Sequence, residues 1–165
     1  MSMEKYNKIH FIGIGGISMS SLAEILKSKG KTITGSDGVA SNVTKALENI
    51  GIQVSIGQKA ENITPDTDLI VYTAAVKEDN PELMAARASG IETVDRAALV
   101  GMMMLEYKFP LSVAGTHGKT TTSSLVTEIF LEANTNPTVS IGGILPSIKG
   151  NYKVGGEDYF ILETC

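Results

Sequence analysis

The sequence predicts an α/β fold in two successive parts. Short apolar runs alternate with segments of helical period, which implies parallel βαβ units with right-handed crossovers. Two of the apolar runs open into Gly-rich turns at Gly13 and at Gly115. The alternation pauses once, at Glu106-Tyr107-Lys108-Phe109-Pro110, and then restarts, so a boundary is expected with parts 1–106 and 107–165.

Ile9 to Ile14 reads as a buried strand that ends in glycines. Met19, Leu22, Ala23 and Leu26 recur at helical spacing up to Gly30. Thr32 to Thr34 is a second strand, ending at Gly35-Ser36-Asp37. Val43 to Ile50 is a helix stopped by Gly51, and Ile52 to Ile56 and Leu69 to Tyr72 are two further strands. Pro81 to Ala88 is a helix with Pro in its first turn, closed by Gly90. Ala97 to Leu105 is an apolar helix whose methionines read as core filler. In the second part, Leu111 to Ala114 is a strand and Lys119 to about Ala133 a helix with Leu125, Val126, Ile129 and Phe130 facing inward. Thr138 to Ile141 and Tyr159 to Leu162 are two more strands. Three strands and one helix leave a sheet edge and a sheet face bare, so the second part is expected to be incomplete as given.

The chain has 165 residues, of which 42% are hydrophobic and 19% charged, a globular composition. Its net charge of -4, its 5% aromatic content and its lack of Trp argue against a nucleic-acid partner. One cysteine, Cys165, allows no disulfide within the chain. The N-terminus, Met1 to Lys8, is polar, and the apolar run after it is too short to span a membrane. These features predict a soluble cytoplasmic protein without membrane insertion.

Gly115-Thr116-His117-Gly118-Lys119-Thr120-Thr121 lies between a strand and a helix. There the backbone N–H groups and the helix N-terminus form an anion trap. Lys119 reaches the outer phosphates of a nucleotide triphosphate, and the Thr120 hydroxyl suits a Mg²⁺ shell. The usual spacing would put Gly where Val113 stands, so this is a shortened variant of the ATP-binding phosphate loop. His117 occupies a position whose backbone does the binding.

Gly13-Ile14-Gly15-Gly16-Ile17-Ser18 also joins a strand to a helix. Asp37, about 20 residues on, follows the second strand. This near-match to a dinucleotide fingerprint has three readings: NAD, another diphosphate such as a UDP-sugar whose ribose Asp37 accepts from, or a tight turn without ligand.

Two such loops in series, the second reading Gly-Thr-His-Gly-Lys-Thr-Thr-Thr, resemble the Mur ligase family. Further matches are Met19-Ser20, Gly35-Ser36-Asp37, Thr73-Ala74-Ala75-Val76, Asp79-Asn80-Pro81-Glu82 and Ser140-Ile141-Gly142-Gly143. The resemblance covers nearly the whole chain. It implies a Rossmann-like parallel-sheet N-terminal domain that binds a UDP-sugar, followed by the start of a P-loop ATP-binding α/β domain. A third domain that helps hold ATP and the incoming amino acid is expected in the family and is absent from this sequence. His117 resembles the branch that joins L-alanine to UDP-N-acetylmuramate, with ATP and Mg²⁺, in building the bacterial cell wall.

Carried over by motif, Gly13, Gly15, Gly16 and Ser18 contact the diphosphate. Asp37, Thr73, Ala74 and Ala75 lie near the uridine end. Lys119 holds ATP phosphates as the catalytic residue, with Gly115, Thr116, His117, Gly118, Thr120 and Thr121 around the nucleotide. Thr120 and Glu163 bind the metal. Family members often have Gly where Ser18 and Ser21 stand. Two rival expectations are a ligase joining a preformed peptide to the same sugar nucleotide and an NAD-linked oxidoreductase. The chain as it stands is expected to bind the UDP-sugar without turnover.

Overall fold

The structure is a computed structural model that describes residues 3–164. Met1, Ser2 and Cys165, on which the readings of a polar start and of a disulfide-free chain partly rest, lie outside the described residues. The chain divides into two compact units, one of Glu4–Val100 and the other of the described residues from Gly101 onward with Met3.

The first unit is built on five parallel strands: β1 (Lys8–Ile12), β2 (Thr32–Asp37), β3 (Gln53–Ile56), β4 (Leu69–Tyr72) and β5 (Glu92–Asp95). Their order is β3-β2-β1-β4-β5. β1 and β4 read as continuous apolar runs because a central parallel strand is covered on both faces, and Ile9, Phe11, Ile12, Leu69, Ile70 and Val71 are all fully buried. The chain winds from β1 to β2 and β3, then returns to β4 on the other side. This leaves a switch point at the carboxyl ends of β1 and β4, where such sheets take their ligands.

Three helices make the crossovers: α1 (Ile17–Ser28), α2 (Asn42–Asn49) and α3 (Pro81–Ala88). α1 buries Met19, Leu22, Ala23, Ile25 and Leu26, each contributing about 0.5–3 kcal/mol with its size. α2 begins with a reciprocal cap, in which Ser41 Oγ accepts from Thr44 N–H and Thr44 Oγ1 accepts from Ser41 N–H. α3 begins with Pro81, and the Asn80 side chain accepts from the N–H groups of Glu82 and Leu83. Ile12, Ile70, Leu83 and Ala86 form a core cluster on that face of the sheet. A fourth helix, α4 (Arg96–Met104), carries the chain into the second unit.

The second unit holds a mixed sheet of β6 (Phe109–Val113), β7 (Thr138–Leu145), β8 (Gly150–Lys153) and β9 (Tyr159–Glu163), in the order β6-β9-β7-β8. β6, β9 and β7 are parallel, and β8 returns antiparallel to β7. α5 (Lys119–Glu132) follows β6, and its Val126 and Phe130 pack on the cluster Val139, Ile141, Leu145 and Ile161.

Several readings of the sequence are corrected. β5 was not expected, because Glu92-Thr93-Val94-Asp95 is short, flanked by charge and only half-buried at the sheet edge. β8 makes the second sheet four-stranded and mixed, where three parallel strands were expected. Gly150-Asn151-Tyr152-Lys153 has no apolar run to announce it. Phe109 and Pro110, read as linker, begin β6, and a proline is tolerated there because β6 is an edge strand. β1 ends at Ile12, since Gly13 has φ of +84° and turns the chain.

In α5 the inward stripe is Ser123, Val126, Thr127 and Phe130. Leu125 and Ile129, expected to face inward, are 61% and 65% exposed. Val126 and Phe130 face inward as expected, and the other two inward positions carry hydroxyl residues, which apolar periodicity does not reveal.

Candidate functional site

The first glycine turn is held by β2. The backbone carbonyl of Ser36 accepts from Gly13 N–H at 2.8 Å and Ile14 N–H at 3.0 Å. The next residue, Asp37, accepts from Gly15 N–H at 2.9 Å through Oδ2 and from Val39 N–H through Oδ1. A side chain at Gly13 is doubly excluded, by its positive φ and by Thr73 Cγ2, which would lie 2.6 Å from a Cβ there. Thr73 N–H in turn donates to the carbonyl of Ile12, and Val76 N–H to that of Thr73, so the Thr73–Val76 turn sits directly against the glycine turn.

These turns and the start of α3 enclose a cavity of about 550 Å³, within the range of small-ligand sites. Gly13, Gly16, Asp37, Thr73 and Ala75 line it, as do Gln58, Lys77, Asp79, Asn80 and Pro81. Gly15, Ser18 and Ala74 were expected at the same site and do not line it. Gly15 is turned onto Asp37, while Ser18 lies in the first turn of α1 and accepts from Arg96 Nη1 at 3.0 Å. Ser21 Oγ–H donates to the Ser18 carbonyl at 3.0 Å.

Sequence reasoning missed Gln58, Lys77, Asn80 and Arg96. Asn80 was quoted only as part of a motif. Its side chain caps α3 and donates to Gln58 Oε1 at 2.6 Å, joining two walls of the cavity. Arg96 lies at the carboxyl end of β5, a strand the sequence did not reveal.

In the second unit, Gly118 adopts φ of +76° just before α5 and needs no side chain for that turn. Gly115, Thr116, His117 and Gly118 are exposed, as are Thr120 and Thr121 on the first turn of α5. Lys119 Nζ donates to the carbonyl of Gly115 at 2.6 Å, so the lysine curls over its own loop. β9 runs parallel to β6 and brings Glu163 alongside Val113, the residue that leads into the loop. Glu163 Oε2 accepts from Thr120 Oγ1 at 3.2 Å, and Oε1 from Ser123 Oγ at 2.7 Å. Thr120 and Glu163, paired by expectation, are therefore brought together, and Ser123 joins them unforeseen.

The same cluster explains Gly142-Gly143 in β7. A Cβ at Gly142 would lie 2.7 Å from Glu163 Oε2 and 3.3 Å from Thr120 Oγ1, and one at Gly143 would lie 2.9 Å from Thr120 Cγ2. The bare strand leaves a cradle beside one carboxylate and one hydroxyl. Among the described residues no three His, Cys, Asp or Glu side chains converge. A Mg²⁺ ion, which keeps several waters and takes one or two carboxylates alongside phosphate oxygens, fits that donor set.

The chain therefore presents two candidate sites, a cavity at a sheet switch point and a Gly-rich loop beside a carboxylate. The family model described as Mur ligase family, catalytic domain, matches residues 8–108, and the chain belongs to the Mur ligase family. It is 59% identical over 157 residues to the UDP-N-acetylmuramate–L-alanine ligase of Agathobacter rectalis, covering 95% of this chain and 34% of that one. It is 53% identical to the enzyme of the same name from Acetivibrio thermocellus, covering 98% of this chain and 34% of that one. The chain thus spans about a third of the length of the curated relatives it matches.

Among solved structures, the UDP-N-acetylmuramate–alanine ligase of Thermotoga maritima superposes with a TM-score of 0.85 at 37% identity, over 94% of this chain and 36% of that one. The UDP-N-acetylmuramate:L-alanyl-gamma-D-glutamyl-meso-diaminopimelate ligase of Neisseria meningitides gives 0.84 at 28% identity, over 96% and 52%. Among the described residues no helix is long and apolar enough to cross a membrane.

Proposed function

We propose that this chain is the N-terminal part of a cytoplasmic ATP-dependent ligase that joins L-alanine to UDP-N-acetylmuramate in peptidoglycan synthesis. In this reading 1–106 is a Rossmann-like UDP-sugar domain and 107–165 the first part of the P-loop ATP-binding domain. The observation that carries it is the Thr120–Glu163 pair at the phosphate loop, found in a chain that also has the glycine-turn cavity. An NAD-linked oxidoreductase has no use for that second site.

The reaction makes an amide from a carboxylate, a poor electrophile. The lactyl carboxylate of UDP-N-acetylmuramate takes the γ-phosphoryl group of ATP: an O–P bond forms, the bond to the β-phosphate oxygen breaks, and ADP leaves. The amine of L-alanine then attacks the acyl carbon, and the tetrahedral intermediate expels phosphate to leave the amide. Lys119 leaves the Gly115 carbonyl to hold the outer phosphates and offsets charge on the transferred group. The N–H groups of residues 115–121 cradle the nucleotide. Thr120 and Glu163 hold Mg²⁺, which when bound neutralises phosphate charge. Gly13 and Gly16 lie against the diphosphate, and Asp37 with Thr73 and Ala75 takes the uridine end, while Ser18 and Ala74 stand outside the cavity lining. Gly15 keeps its N–H on Asp37 and serves as the turn's hinge.

The structural likeness to a peptide-adding ligase favours a second reading, in which the same sugar nucleotide receives a preformed peptide. The higher identity to L-alanine ligases supports the first. Calorimetric titration of this chain with UDP-N-acetylmuramate, with NAD as control, tests the cavity. Binding of the sugar nucleotide alone is expected, and binding of NAD alone overturns the reading. In the longer protein, L-alanine is expected to be the substrate, and activity with a tripeptide alone decides for the second reading.

A further inference from the structure

Glu82 is a carboxylate with no water-exposed surface, and no step of the proposed reaction uses it. Its Oε1 is hydrogen-bonded to His10 Nε2 at 2.7 Å, and its Oε2 accepts from Ser36 Oγ at 2.6 Å. His10 is itself 2% exposed, and its Nδ1 lies 2.8 Å from Thr34 Oγ1. This network ties α3, β1 and β2 together. An ionisable pair removed from water is weak support for stability, since apolar residues of similar volume commonly serve as well there. Its value lies in direction: each oxygen of a doubly engaged carboxylate fixes one neighbour.

Both neighbours lead to the cavity. Ser36 carries the backbone carbonyl that holds Gly13 N–H and Ile14 N–H, so the residue whose side chain is anchored by Glu82 is the one whose main chain sets the glycine turn. Glu82 is also capped through its own N–H by Asn80, which lines the opposite wall beside Pro81. The glycine turn and the start of α3 are thus joined by a single residue.

We propose that Glu82, held by His10, is the positioning residue of the sugar-nucleotide cavity, setting the glycine turn against the start of α3 through Ser36. The proposal rests on the cavity reading given above, and the experiment separates the two. Amide hydrogen exchange and calorimetric titration with UDP-N-acetylmuramate are measured on the 165-residue chain, on Ser36→Ala and on Glu82→Gln. In the unliganded wild type, the Gly13 and Ile14 amides are expected to be as protected as the β1–β2 ladder amides.

Each variant should speed exchange at Gly13 and Ile14 selectively and weaken binding by about tenfold, the size of one net hydrogen bond. The α4 and second-unit amides should stay unchanged. A merely structural role would raise exchange throughout the first unit and leave the affinity of the folded protein intact. Unprotected Gly13 and Ile14 amides in the wild type overturn the proposal without any variant, should both variants fail to fold. Folded variants with wild-type exchange and affinity overturn it equally. If the wild type does not bind the sugar nucleotide, the ligand reading falls, and the exchange at Gly13 and Ile14 still decides the role of Glu82.

Discussion

Gly142→Ala is the most economical probe of the phosphate-loop carboxylate. Gly142 lies within β7 and has no left-handed backbone angle, so alanine is allowed there and even favoured by chain entropy. The added Cβ would lie 2.7 Å from Glu163 Oε2, whereas ordinary contact begins at 3.4 Å, so the carboxylate oxygen must retreat by about 0.7 Å. Its bond from Thr120 Oγ1 is already 3.2 Å long and does not survive that retreat. The shorter bond from Ser123 Oγ at 2.7 Å reaches the other oxygen and keeps the side chain nearby but rotated.

Loss of one hydrogen bond to a charged group amounts to about 1.5–3 kcal/mol, or roughly tenfold to a hundredfold in affinity. That loss should appear only where Glu163 and Thr120 act together, in the gain that Mg²⁺ gives to ATP binding. The assay is ATP titration of the chain with and without Mg²⁺, beside a thermal melt. The expected result is a melting temperature no higher than the wild type's, with most of the Mg²⁺-dependent gain lost. An equal gain in variant and wild type refutes the pairing of Thr120 and Glu163 as the metal site.

Leu125→Lys and Ile129→Lys should each shift the stability of the second unit by no more than about 0.5 kcal/mol by denaturant melts, whereas Val126→Lys, on the face that packs against Val139 and Ile161, should cost about 2 kcal/mol or more. Arg96→Ala should weaken UDP-N-acetylmuramate binding several-fold in the same titration, because the guanidinium donates to Ser18 in the first turn of α1, where anionic phosphate is drawn. Asp68 accepts from the N–H groups of Lys8 and Asn7, and these bonds hold its carboxyl below its ordinary range. Such a lowered group adds stability above its unfolded pKa, and that share is lost as pH falls through the folded value. Acid melts should therefore show a decline beginning near pH 4, and Asp68→Asn should flatten it.

The order of strands and helices in the first unit was legible because β1 and β4 are largely apolar runs and each helix carries its own punctuation, such as Asn80-Pro81 or Gly30. β5 and β8 were not legible, since edge strands need only one covered face and their side chains are charged or polar. The phosphate loop announced itself through residues adjacent in sequence. Its partner Glu163 came from the family resemblance, whereas Ser123 and Gly142 were not foreseen as partners, because they act through distances set by α5, β7 and β9. Asn80 and Glu82 stood within one quoted motif, yet only the fold divides their work, with the first at the cavity wall and the second bonded to Ser36.

The two Gly-rich turns are built on opposite principles. The first turn is fixed before any ligand arrives: Gly13, Ile14 and Gly15 all donate inward, to Ser36 and Asp37, and Ser36 is anchored in turn by buried Glu82. The second loop is exposed from Gly115 to Gly118, and its lysine donates to the loop's own carbonyl. A prearranged cavity lowers the ordering cost of binding, which suits the sugar nucleotide proposed for it. A loop whose lysine must exchange the Gly115 carbonyl for phosphate keeps part of its order in reserve until the nucleotide supplies it. On this argument hydrogen exchange in the unliganded chain should be slow at Gly13 and Ile14 and fast from Thr116 to Gly118, and added Mg²⁺ with ATP should slow only the second set.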